Sequence, residues 1–382
     1  MKKIFISLIL IVLLLSSTGY GVIHINSIEE LRKIGKDPAY PLNGEYELAQ
    51  DIDATVTKNW NNGAGFAPIG NWGNPFTGKF DGNGHKIKGL YINRPGAYGL
   101  GLFCCIDSGG EVKNLGLEDV MVSGGNVVGG LVGCNASATV SACDVTGAVS
   151  GGGGVGGLVG LNTGTLSDCW TSCKVSGREN VGGLVGCNNS YGKISRCYVS
   201  GTVSGDWYAG GLIGKNDWDG TVNSCYVKGS VSGDRYVGGL VGYNGGGTIN
   251  NCYVSGSVTG SNYIGGLVGY LEWGRVTNTY STSSIDGRES NKGGLVGYIC
   301  KGDFSIVTNS YWDTETSGMS TSAVGIGRTT ADMKQRSNFV DWDFENVWGI
   351  DNGKSYPHLL WQCKSKPQNV METEEGKKGK EK

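Results

Sequence analysis

The stretch Cys197-Tyr198-Val199-Ser200-Gly201-Thr202-Val203-Ser204-Gly205, followed after four residues by Gly210-Gly211-Leu212-Ile213-Gly214-Lys215-Asn216, contains the fold in miniature. Cys197, Val199 and Val203 alternate with Tyr198, Ser200, Thr202 and Ser204. An extended segment with this pattern buries one face and shows the other. The glycine-rich half recurs with its leucine at Leu131, Leu158, Leu184, Leu212, Leu240, Leu267 and Leu295, at spacings of 27, 26, 28, 28, 27 and 28 residues. A degenerate copy, Tyr98-Gly99-Leu100-Gly101-Leu102-Phe103, precedes them. A fixed period in the twenties is the signature of a solenoid, one coil per repeat. Each coil has room for two or three short strands and none for a helix of ordinary length. The expected fold is therefore all-β, a β-solenoid of about eight coils with small mixed caps.

Columns follow from the period. Cys143, Cys169, Cys197, Cys225 and Cys252 each lie 15 residues before a repeat leucine. They read as a buried thiol ladder, because stacked Cβ vectors fit disulfide geometry poorly. Val140, Leu166, Ile194, Val222, Ile249 and Val276 form a second apolar column three positions earlier. Asn135, Asn162, Asn188, Asn216 and Asn244 follow the glycine core and read as an amide ladder. Cys105, Cys134 and Cys187 share the position before those asparagines and are expected to face outward, with Cys105 and Cys134 adjacent. The 69 glycines in 382 residues are far above the usual ~7%. Their fixed places point to corners needing positive φ or close backbone approach.

The ends depart from the period. Residues 1–21 carry Met1-Lys2-Lys3 and an apolar run from Ile4 to Leu15, a secretory signal that directs the chain outside the cell or to its surface. No transmembrane segment is expected beyond it. Residues 22–97 read as an N-terminal cap and first strands, with a helix from Ser27 to about Lys36, strands at Tyr46 to Ala49 and Gly78 to Ile92, and a tight turn at Asp81-Gly82-Asn83-Gly84, and 98–300 as the repeats. Residues 301–363 read as a closing segment, with a helix from Thr330 to about Asn338 and a lid of Trp342, Phe344, Trp348, Tyr356 and Trp361. Residues 364–382, with six lysines and four glutamates, read as a disordered tail.

A net charge of −2 gives no electrostatic footprint for nucleic acid. Three well-separated histidines and no His-Glu-x-x-His exclude that class of zinc peptidase. The pairs Asp51/Asp53, Asp217/Asp219 and Asp341/Asp343 stand alone in loops and do not recur along the coils. No cofactor, metal or catalytic residue is expected.

Aromatic ladders are the functional clue. Trp170, Tyr198, Tyr226, Tyr253, Tyr280 and Tyr311 form an outward file beside the cysteine column. Tyr208, Tyr236 and Tyr263 form a second file, and Tyr243, Tyr270 and Tyr298 a third, with Trp207, Trp218 and Trp273 in neighbouring loops. Exposed stacked rings bind sugars or proteins, although stacking also stabilises a sheet by itself. The Tyr198-to-Tyr311 file is the expected contact surface, where Tyr226→Ala and Tyr253→Ala would weaken binding and spare folding.

The Gly-Gly-Leu-Val-Gly-x-Asn core with its Cys-Tyr-Val-Ser-Gly segment resembles the GLUG motif repeats of bacterial surface and secreted proteins. Phe76 to His85 is similar to the block that precedes such repeats, and Tyr311 to Gly318 to the block that closes them. The resemblance implies a β-solenoid stalk or binding surface, as in adhesins and some immunoglobulin-cleaving metallopeptidases. It supplies no catalytic residue here. The reading is an extracellular adhesion or recognition scaffold with a glycan or protein ligand. The alternatives are a polysaccharide-active enzyme, marked by carboxylates and a basic residue converging in one pocket, or a structural spacer.

Overall fold

In the computed structural model, which describes residues 21–288, 291–300, 302 and 304–364, the chain winds as a β-solenoid of parallel strands. One coil runs from Thr221–Asn223 on the first face, through Tyr226–Val227 and Ser230–Gly238 on the second, to Val241–Gly245 on the third. Successive coils pair in register, with the first face aligned as Ile194↔Val222 and Val222↔Ile249, and the third face as Ile213↔Val241. The three faces form sheets of 11, 21 and 8 strands.

The columns meet in one core. All seven repeat leucines and the five ladder cysteines are fully buried. Each ladder thiol donates to the carbonyl two residues earlier, as Cys225 Sγ does to Asn223 O at 3.3 Å, and Cys197 N and Cys225 N each meet the next coil's sulfur at 3.4 Å. Thr279 and Ser310 continue this role with hydroxyls, Ser310 Oγ donating to Thr308 O at 2.8 Å. Cysteine thus supplies the volume of a small hydrophobe and a weak donor–acceptor at once. All ladder cysteines are free thiols, and burial pushes those of Cys143, Cys169, Cys197 and Cys225 well above the ordinary thiol range. Cys105 and Cys134 are register partners, but they are buried in a small cluster of their own rather than facing outward, and Cys187 is half-buried.

The asparagines run amide to amide from Asn135 to Asn162, Asn188, Asn216 and Asn244, each link 2.7 to 2.8 Å. Each inner amide also closes its own turn, as Asn216 Nδ2 does onto Gly220 O at 3.1 Å. Buried Leu271 takes the next place and ends the file.

Of the two uses expected for glycine, close approach explains the repeat motif. A Cβ on Gly210 would overlap the carbonyl oxygen of Ile213, and one on Gly211 that of Gly239 in the next coil. Left-handed backbone at the corner before the cysteine column falls instead on Arg196, Ser224, Asn251 and Asn278, with φ between 51° and 56°.

The ends correct the expected boundaries. Residues 22–97 are part of the stack: Ile23–Ile25, Glu45–Leu48 and Lys79–Asp81 extend the 11-stranded sheet, with Tyr46↔Phe80↔Val112 in register. Long insertions between these strands hide the period. The N-terminal helix is a single turn, Ile28–Leu31, capped by Ser27 Oγ on Glu30 N at 3.2 Å. The helix expected from Thr330 is two 3₁₀ turns, Asp332–Lys334 and Arg336–Asn338, opened by Thr329 rather than Thr330. The C-terminal end of the core is closed by Trp312, which lies over Gly294, and by Ser322 and Ala323, which bond the backbone of Leu295 and Val296. Apart from Gly21 and Lys364, the expected signal at 1–21 and the expected tail at 364–382 lie outside the described residues.

Candidate functional site: the two tyrosine faces

The first aromatic file stacks as its register demands. Trp170↔Tyr198↔Tyr226↔Tyr253↔Tyr280↔Tyr311 are direct partners, with ring centroids 5.0 to 5.1 Å apart and nearly parallel planes from Tyr198 to Tyr280. Most of this file is not a surface. Tyr226, Tyr253, Tyr280 and Tyr311 are 9%, 5%, 2% and 1% exposed.

The C-terminal segment covers them. It runs back along the flank of the solenoid, and its tryptophans bond the corners of three coils. Trp342 Nε1 donates to Asn309 O at 2.9 Å, Trp348 Nε1 to Asn251 Oδ1 at 3.3 Å, and Trp361 Nε1 to Ser224 O at 2.9 Å. Between them, Gln362 Nε2 donates to the Tyr253 hydroxyl at 2.8 Å, and the Tyr280 hydroxyl donates to Pro357 O. The expected lid is thus a clasp along the side. A period-based reading could not show this, because the clasp lies outside the period. The expectation that Tyr226→Ala and Tyr253→Ala spare folding fails for the same reason: these rings belong to a second core with Trp348, Phe339 and Leu359. Only Trp170 and Tyr198, stacked at 5.7 Å, extend beyond the clasp as half-buried rings. Partial burial raises the Tyr198 hydroxyl to about 12.

The other two files meet on the opposite edge of the second face and stay half-exposed. Tyr208, Tyr236 and Tyr263 stack at 4.8 and 5.0 Å, and Tyr243, Tyr270 and Tyr298 at 5.6 and 5.2 Å. Edge-to-face contacts at 5.3 to 5.4 Å lock the files together through Tyr208–Tyr243, Tyr236–Tyr270 and Tyr263–Tyr298. The first three hold φ of 54°, 59° and 57°, an outlying conformation for bulky side chains. It breaks strand alternation, so that adjacent residues such as Trp207 and Tyr208 both reach outward while Ala209 is buried. Trp207 lies within the strand Thr202–Gly210, not in a loop, and is 44% exposed; Trp218 and Trp273 occupy turns and are 71% and 58% exposed.

Polar groups fringe this surface. Lys215 Nζ pairs with Asp217 at 2.8 Å and lies 5.3 Å from the Tyr243 ring centre. The Tyr243 hydroxyl donates to Glu272, whose carboxylate raises the phenol further beyond its burial. Of the other acid pairs, Asp51 accepts from Lys86 N, 35 residues on, whereas Asp53 accepts from Thr55 N and Asp343 from Glu345 and Asn346 N in local turns. Asp341 meets Asn309 Nδ2 at 3.5 Å. Among the described residues no group of three or more His, Cys, Asp or Glu is placed to hold a metal, and no helix is long and apolar enough to cross a membrane.

A feature the sequence reading missed lies where one repeat has lost two side chains. Gly152 and Gly153 leave a cleft of about 340 Å³ walled by Asn126, Arg178, Glu179, Asp206 and Trp207. Its signal was present as Gly151-Gly152-Gly153-Gly154, at the positions where other coils carry Arg-Glu or Asp-Trp.

The fold and its columns define a parallel β-solenoid repeat protein. Three of its coils, 177–204, 233–259 and 260–286, match the GLUG motif, so the chain carries repeats of that family. Over 130 residues it is 40% identical to halomucin of Haloquadratum walsbyi, and over 72 residues 47% identical to a provisionally named Gly-rich membrane protein of Evansella cellulosilytica. These stretches are 33% and 18% of this chain but span only 1% and 8% of the curated relatives. Among solved structures, a provisionally assigned immunoglobulin A1 protease from Bacteroides ovatus aligns over 88% of this chain and 92% of its own, at 21% identity and a TM-score of 0.44.

Proposed function

We propose that this chain is an extracellular or cell-surface recognition scaffold, adhesive in role and without catalysis of its own, whose contact surface is the open tyrosine face. The observation that carries the reading is the double file Tyr208, Tyr236, Tyr263 and Tyr243, Tyr270, Tyr298, rigidified by stacking yet left half-exposed by the rest of the chain. Rigid aromatic area of this kind gives contact energy at low entropy cost. The GLUG repeats and relatives named as a mucin and a membrane protein support a place outside the cell. The ligand class is a glycan or a surface protein.

A second reading, an enzyme acting on polysaccharide, has one observation in its favour: Glu179, Asp206 and Arg178 line a single cleft. All three are exposed. General acid catalysis by a carboxyl is favoured by a site that excludes water, and these three side chains lie open to it.

The test is a panel of glycans and extracellular-matrix proteins, read for both retention and product release, with the Tyr236→Ala/Tyr270→Ala double variant alongside. Saturable binding that the double variant loses about tenfold or more supports the reading. Binding unaffected by it refutes the tyrosine surface, and released oligosaccharide refutes the non-catalytic role.

A further inference from the structure

We propose that the Gly152–Gly153 cleft is a binding subsite for one neutral hexose-type ring of a glycan chain, with Trp207 as its platform. The inference deepens the recognition reading and rests on it.

The cleft arises from a gap in a column. Asn126, Gly153, Glu179 and Trp207 are consecutive register partners on four coils. The solenoid keeps the backbone of the Gly153 coil in place while removing its side chain, so a slot opens one coil wide. Its volume of about 340 Å³ lies within the ~300–1,000 Å³ of small-ligand sites.

The walls carry unspent hydrogen-bonding capacity. The side chains of Asn126, Arg178, Glu179 and Asp206 make no hydrogen bond or ion pair with another described residue. An amide, a guanidinium and two carboxylates offer planar paired donors and acceptors, the groups that match vicinal hydroxyls. Trp207 adds an apolar plane for the C–H face of a sugar, and it is braced by Tyr208, edge-to-face at 6.3 Å, and by Arg235 at 5.7 Å from its ring centre. A flat apolar ring beside several polar groups suits a pyranose better than an aliphatic side chain. Charge selects among sugars. Two carboxylates face one guanidinium, so a uronate, sialate or sulfate would meet net repulsion, and a neutral ring is favoured. The cleft adjoins Tyr208, so a chain leaving it can continue over the open tyrosine face.

The experiment titrates the full chain with soluble β-glucan, mannan and galactan oligosaccharides, and with oligogalacturonate as the anionic comparator. Gly153→Leu fills the slot without removing any group. Gly153 lacks left-handed φ, and the closest contact of its added Cβ would be the movable Asn126 Oδ1 at 3.2 Å, so the variant is expected to fold. Circular dichroism melts confirm this, with Trp207→Ala as a second variant should it fail. The expected result is saturable binding of at least one neutral oligosaccharide, weakened about tenfold or more by either variant. Neutral binding that survives Gly153→Leu but falls in Tyr236→Ala/Tyr270→Ala overturns the cleft and leaves the tyrosine reading standing. Preference for oligogalacturonate, or no neutral binding, also overturns the subsite. Failure of glycans and proteins alike would remove the recognition reading too.

Discussion

The two tyrosine faces arise from the same repeat and meet different fates. Tyr226, Tyr253, Tyr280 and Tyr311 are sealed beneath Phe339, Trp342, Trp348 and Trp361, whereas Tyr208, Tyr236, Tyr263, Tyr243, Tyr270 and Tyr298 pack on one another, fringed by Trp207, Lys215 and Glu272, and stay half-exposed. Stacking alone therefore does not mark a ligand surface in a solenoid. What decides is whether another part of the chain has already taken the aromatic face as its own core.

The comparison breaks most readily at the clasp. Trp348 is fully buried, and Trp348→Ala should cost about 3–5 kcal/mol, read as a denaturant midpoint shift with new dye-binding apolar surface. Tyr253→Ala should follow at about 3 kcal/mol, whereas Tyr236→Ala on the open face should cost about 2 kcal/mol, the value of its two lost stacks on Tyr208 and Tyr263. Equal losses would mean that the faces do not differ.

The pattern of these expectations shows what the sequence could reveal. Repeated columns were legible because each repeat casts a vote: Leu212, Val222, Cys225 and Asn216 are each one of five or more equivalent residues. The clasp was not, because Trp342, Trp348 and Trp361 occur once, and their partners Asn309, Asn251 and Ser224 lie up to 137 residues away. The early strands at Tyr46 to Ala49 and Gly78 to Ile92 were legible, but not their place in the stack, because Ile23, Tyr46 and Phe80 keep the register but not the spacing. At the site, the tyrosines of the open face were visible as files, but the left-handed backbone that turns Tyr208, Tyr236 and Tyr263 outward beside Trp207 and Arg235 has no simple signature in side-chain type.

A smaller effect sharpens the open end of the covered ladder. Asp144 pairs in register with Trp170, just beyond the clasp, and burial raises its carboxyl to about 6, against a weaker opposing pull from Lys86. A carboxyl with a raised folded pKa binds more protons folded than unfolded. Stability should therefore fall as pH rises from about 4 to about 6, by at most about 1–2 kcal/mol given its partial exposure. Asp144→Asn should abolish that slope in pH-dependent denaturant melts. A slope unchanged by the variant would assign it to other groups.

The smallest expected change is at the strained corner. Tyr236→Gly removes two stacks, together worth about 1–3 kcal/mol, but relieves a left-handed backbone costing about 1–2 kcal/mol. Its stability should stay within about 1 kcal/mol of the parent, which makes it the cleanest way to delete a ring from the open face. A loss as large as that of Tyr253→Ala would show that the open rings also serve as core.

Hydroxyl-radical footprinting of the intact chain, with oxidation read residue by residue, tests the division between the faces most directly. The account predicts protection of Tyr253, Tyr280 and Tyr311 together with Trp348, and ready oxidation of Tyr236, Tyr263, Tyr270 and Trp207. Oxidation of Tyr253 and Tyr280 at the rate of Tyr236 would contradict it, returning the first ladder to the surface and removing the reason to place recognition on the other face.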